Sequence, residues 1–268
     1  MIKFVRFSGV FALALFSSSV APAQAQEPQR YSRDTCVKVK EGKWQEYTAY
    51  LRDASTKLAK VRVEDGAYAS YALAQAVVPT GRSARCDYHI VVGYIGFPPE
   101  APGPEKLAAD MKKAGIAMSR EAMLAKRDQL VDLVGVDIWQ WRERVGAMPE
   151  KGSYARLNFY KIKPGMTNEW VRSESTGWKP LAEAAAKEHG TSWRAATLAM
   201  PGGANLPYNA MTVEGFPSWA AVGQSLPARA IWNKVHPNMD MTAYMDRLAT
   251  IVDRPRIDVV KLIEVMGK

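Results

Sequence analysis

Histidine is scarce in this 268-residue chain, with only His89, His189 and His236, and cysteine is scarcer, with Cys36 and Cys86 alone. Three scattered histidines give no metal-ligand spacing, so no metal site is expected. There is no G-x-S-x-G elbow, no glycine-rich phosphate loop and no C-x-x-C pair. These absences remove the common serine-hydrolase, nucleotide-binding and thioredoxin-like readings. Thr191-Ser192 and Ser173-Glu174-Ser175 have no placed His–Asp partners and read as loop or helix-end residues. Beyond the N-terminus no stretch is apolar enough to cross a bilayer. The formal charge of +9 is modest, and basic pairs such as Lys112-Lys113 and Lys126-Arg127 are interleaved with acids. No basic groove for nucleic acid is expected from that pattern.

The first 25 residues carry a compartment signal. Lys3 and Arg6 form a positive start, Val10–Phe16 an apolar core, and Ala23-Gln24-Ala25 a small-residue cleavage motif. The apolar core is too short to span about 30 Å of hydrocarbon. A signal peptide over residues 1–25, cleaved before Gln26, predicts a periplasmic or secreted protein. Its loss removes two basic residues and no acids, leaving a mature charge of +7. The remaining chain, with 47% apolar residues in the whole sequence and eight tryptophans, can bury a large core.

Internal self-similarity organises that core. Val37-Lys38-Val39-Lys40-Glu41-Gly42 matches Tyr160-Lys161-Ile162-Lys163-Pro164-Gly165 at an offset of 123. Val77-Val78-Pro79 matches Ala199-Met200-Pro201 at 122, Tyr88 matches Tyr208 at 120, Gly96-Phe97-Pro98 matches Gly215-Phe216-Pro217 at 119, and Asp137 matches Asp258 at 121. Matches in one order with slowly drifting offsets indicate a duplication with small loop changes. Each half reads strand, helix, two strands as a hairpin, helix, strand. The first helix spans roughly 44–60, its counterpart is interrupted near Gly177 and Pro180, and the later helix of the first half runs through 105–134. The last strands cover 136–143 and 257–265. The expected fold is α+β: two tandem βαββαβ ferredoxin-like repeats, residues 26–145 and 154–268, joined by a 146–153 linker and packed through their sheets as a pseudo-dimeric barrel.

Strand–helix order, duplication and the Gly-Phe-Pro motifs resemble the dimeric α/β-barrel superfamily, which includes NIPSNAP proteins, antibiotic-monooxygenase-like enzymes and chlorite-dismutase-like haem proteins. The resemblance implies two sheets closing back to back around a small-molecule cavity. It also implies haem as the alternative to the expected absence of any cofactor. His236 is then the one histidine placed to be a haem ligand.

The strand order 4-1-3-2 places Cys36 at the start of strand one and Cys86 at the start of strand three, at opposite ends of neighbouring strands. A disulfide needs Cα atoms within ~7 Å, so none is expected, although an exported chain would favour one. Alternation in strand one turns Val37, Val39, Tyr160 and Ile162 toward the helices and points Lys38 and Lys161 between the sheets. The two lysines either receive an anionic ligand near the pseudo-twofold axis or snorkel to solvent at the barrel mouth. His89, which the repeat replaces with Asn209, is either an asymmetric ligand contact or a hydrogen-bonded strand residue. His189 suits a helix C-terminus. Tyr71 with Trp193, and Phe97 with Phe216, are aromatic pairs that line a cavity if the sheets enclose one and otherwise belong to the core. The leading expectation is an exported binder of a small, partly hydrophobic ligand between the two sheets. The alternatives are a cofactor-independent or haem-assisted oxidoreductase and a pocket-free interaction module. Homo-oligomerisation stays open.

Overall fold

The structure, a computed structural model, describes residues 28–267 apart from 204 and 225. The expected export segment and its cleavage point lie outside the described residues. β1 (Arg30–Val39) leads into α1 (Trp44–Tyr50), a π-helical turn (Leu51–Ser55) and α2 (Thr56–Glu64). The hairpin of β2 (Ser70–Val78) and β3 (Tyr88–Ile95) follows, then α3 (Pro104–Lys113), α4 (Arg120–Leu130) and β4 (Val131–Val145). The second half retraces this path with β5 (Tyr154–Ile162), α5 (Thr167–Ser173), a π-helical turn (Glu174–Trp178), α6 (Lys179–His189), β6 (Ser192–Met200) and β7 (Ala210–Phe216). It ends with α7 (Trp219–Gly223), α8 (Ala228–Val235), α9 (Met241–Ile251) and β8 (Val252–Gly267).

All eight strands close into one antiparallel barrel in the order β1-β3-β2-β8-β5-β7-β6-β4. Each half thus contributes four strands ordered 4-1-3-2, and the β2–β8 and β4–β6 ladders join them. Closure pairs the strands that would otherwise present open edges. Helices pack on the outer faces. In the first half Tyr47 and Leu51 meet Val37, Val39, Tyr71, Leu73, Tyr88 and Val92. In the second, Trp170, Ala182 and Leu248 meet Ile162, Trp193, Ala195 and Ala210.

The inward-facing residues form a third apolar cluster, with Trp139, Leu157, Phe159, Met211, Val260 and Leu262 packed between the sheets. The space expected to hold a ligand is therefore largely filled by side chains. Toward the end where β1 and β5 finish, the interior turns polar, with Asp34, His89, Asp137 and Asp258 all buried.

Several expectations need correction. Cys36 and Cys86 are bonded, with Cα atoms 5.3 Å apart. β1 begins five residues earlier than the pattern indicated, so Cys36 lies near its end. In the antiparallel ladder it stands opposite His89, next to the entry of β3. The long helix expected over 105–134 is two helices broken at Gly115 (φ +67°), and β4 already starts at Val131. The interruption near Gly177 is a π-helical turn at the same place as the one in the first half.

Two repeat pairings also shift. Cys36 stands opposite His89 and Phe159 opposite Met211, so the counterpart of His89 is Met211. Asn209 corresponds instead to Asp87: Val39 N–H donates to Asp87 Oδ2 (2.8 Å) and Ile162 N–H to Asn209 Oδ1 (2.7 Å). By the same ladders Phe216 corresponds to Tyr94, and the Gly-Phe-Pro match is coincidental. Gly93 and Gly215 are the true pair, since a Cβ on either would run into the hydroxyl of Ser70 or Ser192 on the neighbouring strand.

Candidate functional site

The matched lysines hold loops. Lys38 Nζ donates to the Gly81 and Ala84 carbonyls (2.6 and 2.8 Å) and to Asp87 Oδ1 (3.0 Å), closing the β2–β3 loop onto β1. Lys161 Nζ donates to the Leu206 carbonyl (2.6 Å) in the equivalent loop. Both ammonium groups are engaged by the protein itself.

His89 sits in the polar end of the barrel. Its Nδ1 lies 2.9 Å from Asp34 Oδ2, while Nε2 is buried without a partner among the described residues. Burial alone would lower the imidazole pKa; the charge and hydrogen bond of Asp34, with Asp258 adding, outweigh it and hold it above its ordinary value. Around it, Tyr208 donates to Asp137 Oδ2 (2.7 Å), Arg85 stacks over the Tyr208 ring, and Arg256 Nε donates to both Asp258 oxygens (2.8 Å). Burial raises the Asp137 pKa, against the pull of Arg85. Three carboxylates are thus balanced by Arg85, Arg256 and the imidazole, which makes the cluster a self-satisfied plug with one orphan atom.

A cavity of about 800 Å³ opens elsewhere, on the helix side of the second-half sheet. Arg156, Tyr160, Trp193, Thr212, Glu214 and Phe216 form its floor, and Glu174, Trp178, Leu181, Leu226 and Leu248 form its walls. The π-helical turn places Glu174 here, and three side chains pin that turn. Tyr244 on α9 donates to the Ser173 carbonyl (2.7 Å), His236 Nε2 meets the Gly177 carbonyl (2.9 Å), and Ser175 donates to Glu143 Oε1 on β4 (2.5 Å). Gly177 is required because a Cβ there would occupy the Tyr244 ring. π-helical turns of this kind recur at functional sites.

Glu174 is 2% exposed, and its Oε2 has no partner among the described residues. Burial, reinforced by Glu214 nearby, raises its pKa well above the usual carboxylate range, which favours the protonated form. Glu214 is paired by contrast, with Arg156 Nη1 donating to Oε2 (3.0 Å) and Asn158 Nδ2 donating to Oε1 (2.8 Å). Burial and then Glu174 push the Tyr160 phenol up to about 12, and its hydroxyl stands 3.5 Å from Thr212 Oγ1. The lining therefore combines a buried carboxyl, a phenol and an Arg–Glu pair with apolar side chains. Such a surface suits an uncharged or partly polar small molecule and can donate or accept protons.

Of the residues singled out from sequence, Trp193 and Phe216 line this cavity. Tyr71, the counterpart of Trp193, is buried in the first-half core, and Phe97 is exposed with its ring edge-on to Tyr31 (5.4 Å). Glu174, Glu214, Arg156, Asn158 and Tyr160 escaped the sequence reading. Their signal was present: in the repeat alignment Leu51 becomes Glu174, Val92 becomes Glu214 and Ile90 becomes Thr212. Apolar positions of one half turning polar in the other mark a site.

The sequence matches no protein-family model and no curated protein. Solved structures do match. A proposed monooxygenase from Lactobacillus acidophilus superimposes with a TM-score of 0.54 at 10% identity, over 90% of this chain and 97% of its own. One from Fusobacterium nucleatum gives 0.54 at 13%, over 91% and 96%. The chain shares their ferredoxin-like α+β fold. A proposed chlorite dismutase aligns at 0.48 and 11% identity, over 88% and 95%, too distant to bear on chemistry.

Haem, implied by the resemblance, does not fit the residues present. His236 Nε2 faces a carbonyl oxygen and so carries its proton there, leaving that nitrogen no lone pair for iron. The cavity lining contains no histidine and no cysteine.

Proposed function

We propose that the chain is an exported, tandemly duplicated protein that holds a small, partly hydrophobic ligand in the cavity on the helix side of its second half. The carrying observation is the pairing of about 800 Å³ of space with a buried carboxyl in its wall, one oxygen of which has no partner among the described residues. An orphan polar atom in an apolar wall costs about 1–3 kcal/mol, which a bound molecule can recover. Export is supported by the Cys36–Cys86 bond, since disulfides persist in oxidising compartments. N-terminal sequencing of the secreted form should read from Gln26. Duplication is supported by the repeated strand order and by the two π-helical turns at equivalent positions.

Mass spectrometry of organic extracts from the mature protein tests the ligand reading. A near-stoichiometric small molecule is expected in the native protein and not in Ala182→Trp, which fills the cavity. Absence of any ligand, together with naphthalene binding that Ala182→Trp leaves intact, would remove the reading.

A second reading, cofactor-independent oxygenation of the bound molecule, is favoured by the perturbed carboxyl in the cavity and by what the two fold relatives are named for. Oxygen uptake with the co-purified molecule, abolished in Glu174→Leu, distinguishes catalysis from storage.

A further inference from the structure

We propose that the cavity selects an uncharged ligand bearing a carbonyl or comparable oxygen acceptor, which takes its hydrogen bond from the Glu174 carboxyl. This rests on the ligand reading above and narrows it to a chemical class.

The position itself is informative. The π-helical turn of the first half opens with Leu51, buried against tyrosines, and that of the second half opens with Glu174, equally buried. A leucine satisfies this place in the fold, so the carboxyl is not needed for folding. Among the described residues no cation pairs with it: the Arg156 guanidinium is committed to Glu214 (3.0 Å) and to the Val222 carbonyl (3.1 Å). A buried carboxyl without a cation stays protonated and is a hydrogen-bond donor. Its Oε2 has no acceptor among the described residues, and Glu174 lines the cavity. Tyr160 adds a second donor, since 3.5 Å to Thr212 is too long to hold its proton firmly. A protonated carboxyl beside a tyrosine in an apolar site is the arrangement that binds and polarises a ketone oxygen in ketosteroid isomerase.

Charge argues against the other classes. The groups that line the cavity with Glu174 or act on it are Glu214 from β7, Arg156 and Tyr160 from β5, Asp253 and Arg254 from β8, and Tyr244 from α9. With Glu174 protonated, the two arginines and two acids cancel, so an anion gains no net attraction. An ammonium ligand would require Glu174 to ionise on binding.

Four naphthalene probes test this by quenching of tryptophan fluorescence: the parent hydrocarbon, the 2-acetyl ketone, the 2-aminomethyl cation and the 2-carboxylate. The ketone should bind about tenfold tighter than naphthalene, the gain expected of one well-placed hydrogen bond. Glu174→Leu, which installs the first-half side chain, should erase that difference while leaving naphthalene binding intact. Glu174→Gln keeps a donor and should retain most of it. In the native protein ketone affinity should fall as rising pH ionises Glu174, and in Glu174→Gln it should not. A ketone advantage that survives Glu174→Leu, or an amine that binds tightest with proton release to buffer, would overturn the proposal while leaving the cavity occupied. Failure of all four probes would overturn the ligand reading as well.

Discussion

The two halves of this barrel solve the same packing problem with opposite results. In the first, the space between sheet and helices is filled by Tyr47, Leu51, Tyr71, Tyr88 and Val92. In the second, the equivalent space holds the cavity, because smaller or polar residues replace several of these. Ala210 stands where Tyr88 does, Thr212 where Ile90 does, and Glu214 where Val92 does. One half is packed solid, and the other gives up buried apolar area and keeps a cavity lined by a buried acid. The division follows a general trade between a well-packed core and a functional one. The repeated strand order makes the trade visible residue by residue, since the first half reports what the second would be without the cavity.

The halves differ most in how β1 and β5 are tied to the strands beside them, and breaking that difference should give the largest effects. The first half uses the Cys36–Cys86 bond; the second places Phe159 against Tyr208, with ring centroids 4.8 Å apart. Removing the disulfide by Cys36→Ala with Cys86→Ala should cost about 4 kcal/mol, the chain-entropy value for its 50-residue separation. Phe159→Ala should cost a comparable 3–5 kcal/mol through the cavity it leaves among Trp139, Tyr208 and Met211. Chemical denaturation of each variant measures both, and reductant should affect the native protein but not the double cysteine variant. A negligible cost for Phe159→Ala would show that the aromatic contact is not the second half's substitute for the bond.

Next in size is the conversion of the site itself. Glu174→Leu should raise stability by about 1–2 kcal/mol at neutral pH, because it removes an unpartnered buried polar atom. The pH dependence follows from the sign of the shift. The Glu174 carboxyl binds its proton more tightly when folded than when unfolded. Stability from this group is therefore full below the ordinary glutamate pKa of about 4.3 and declines as pH rises toward the folded value. Denaturation midpoints across pH 4–8 should fall more steeply in the native protein than in Glu174→Gln. Parallel curves would mean that Glu174 is not the proton carrier.

How much of this was legible in the sequence follows from the same comparison. The α+β class and the inward or outward sorting of Val37, Lys38 and Val39 came from alternation and repeated turns, which are local signals, and the 4-1-3-2 order came from reading the element sequence as ferredoxin-like. The disulfide was missed because its geometry depends on where β1 begins, and the polar alternation of Arg30–Asp34 hid five residues of strand. The pairing of His89 with Asn209 failed because Tyr88 and Tyr208 are a chance identity two residues out of register. The barrel ladder, which no local pattern encodes, was needed to align His89 with Met211. The site was missed for a related reason. Glu174 sits in a serine- and glutamate-rich segment that reads as a helix end, and only the fold shows that the carboxyl is buried.

The smallest predicted effect concerns His89, whose counterpart Met211 is uncharged. The Asp34–His89 pair keeps the imidazole protonated to higher pH in the folded chain than in the unfolded one. Its stabilisation is therefore fully present below the unfolded histidine pKa of about 6.5 and is lost as pH rises through the folded value. This runs in the same direction as Glu174 but begins at higher pH, so the two are separable. His89→Met, which gives the first half the residue of the second, should remove the part of the pH dependence that sets in above about 6.5 and leave the slope from Glu174 intact. It also leaves Asp34 buried without its partner, so Asp34→Asn with His89→Met is the variant that isolates the proton from the lost ion pair. NMR titration of the imidazole in the native protein reads the shift directly, and an ordinary or lowered value would show that burial outweighs the carboxylates in this barrel.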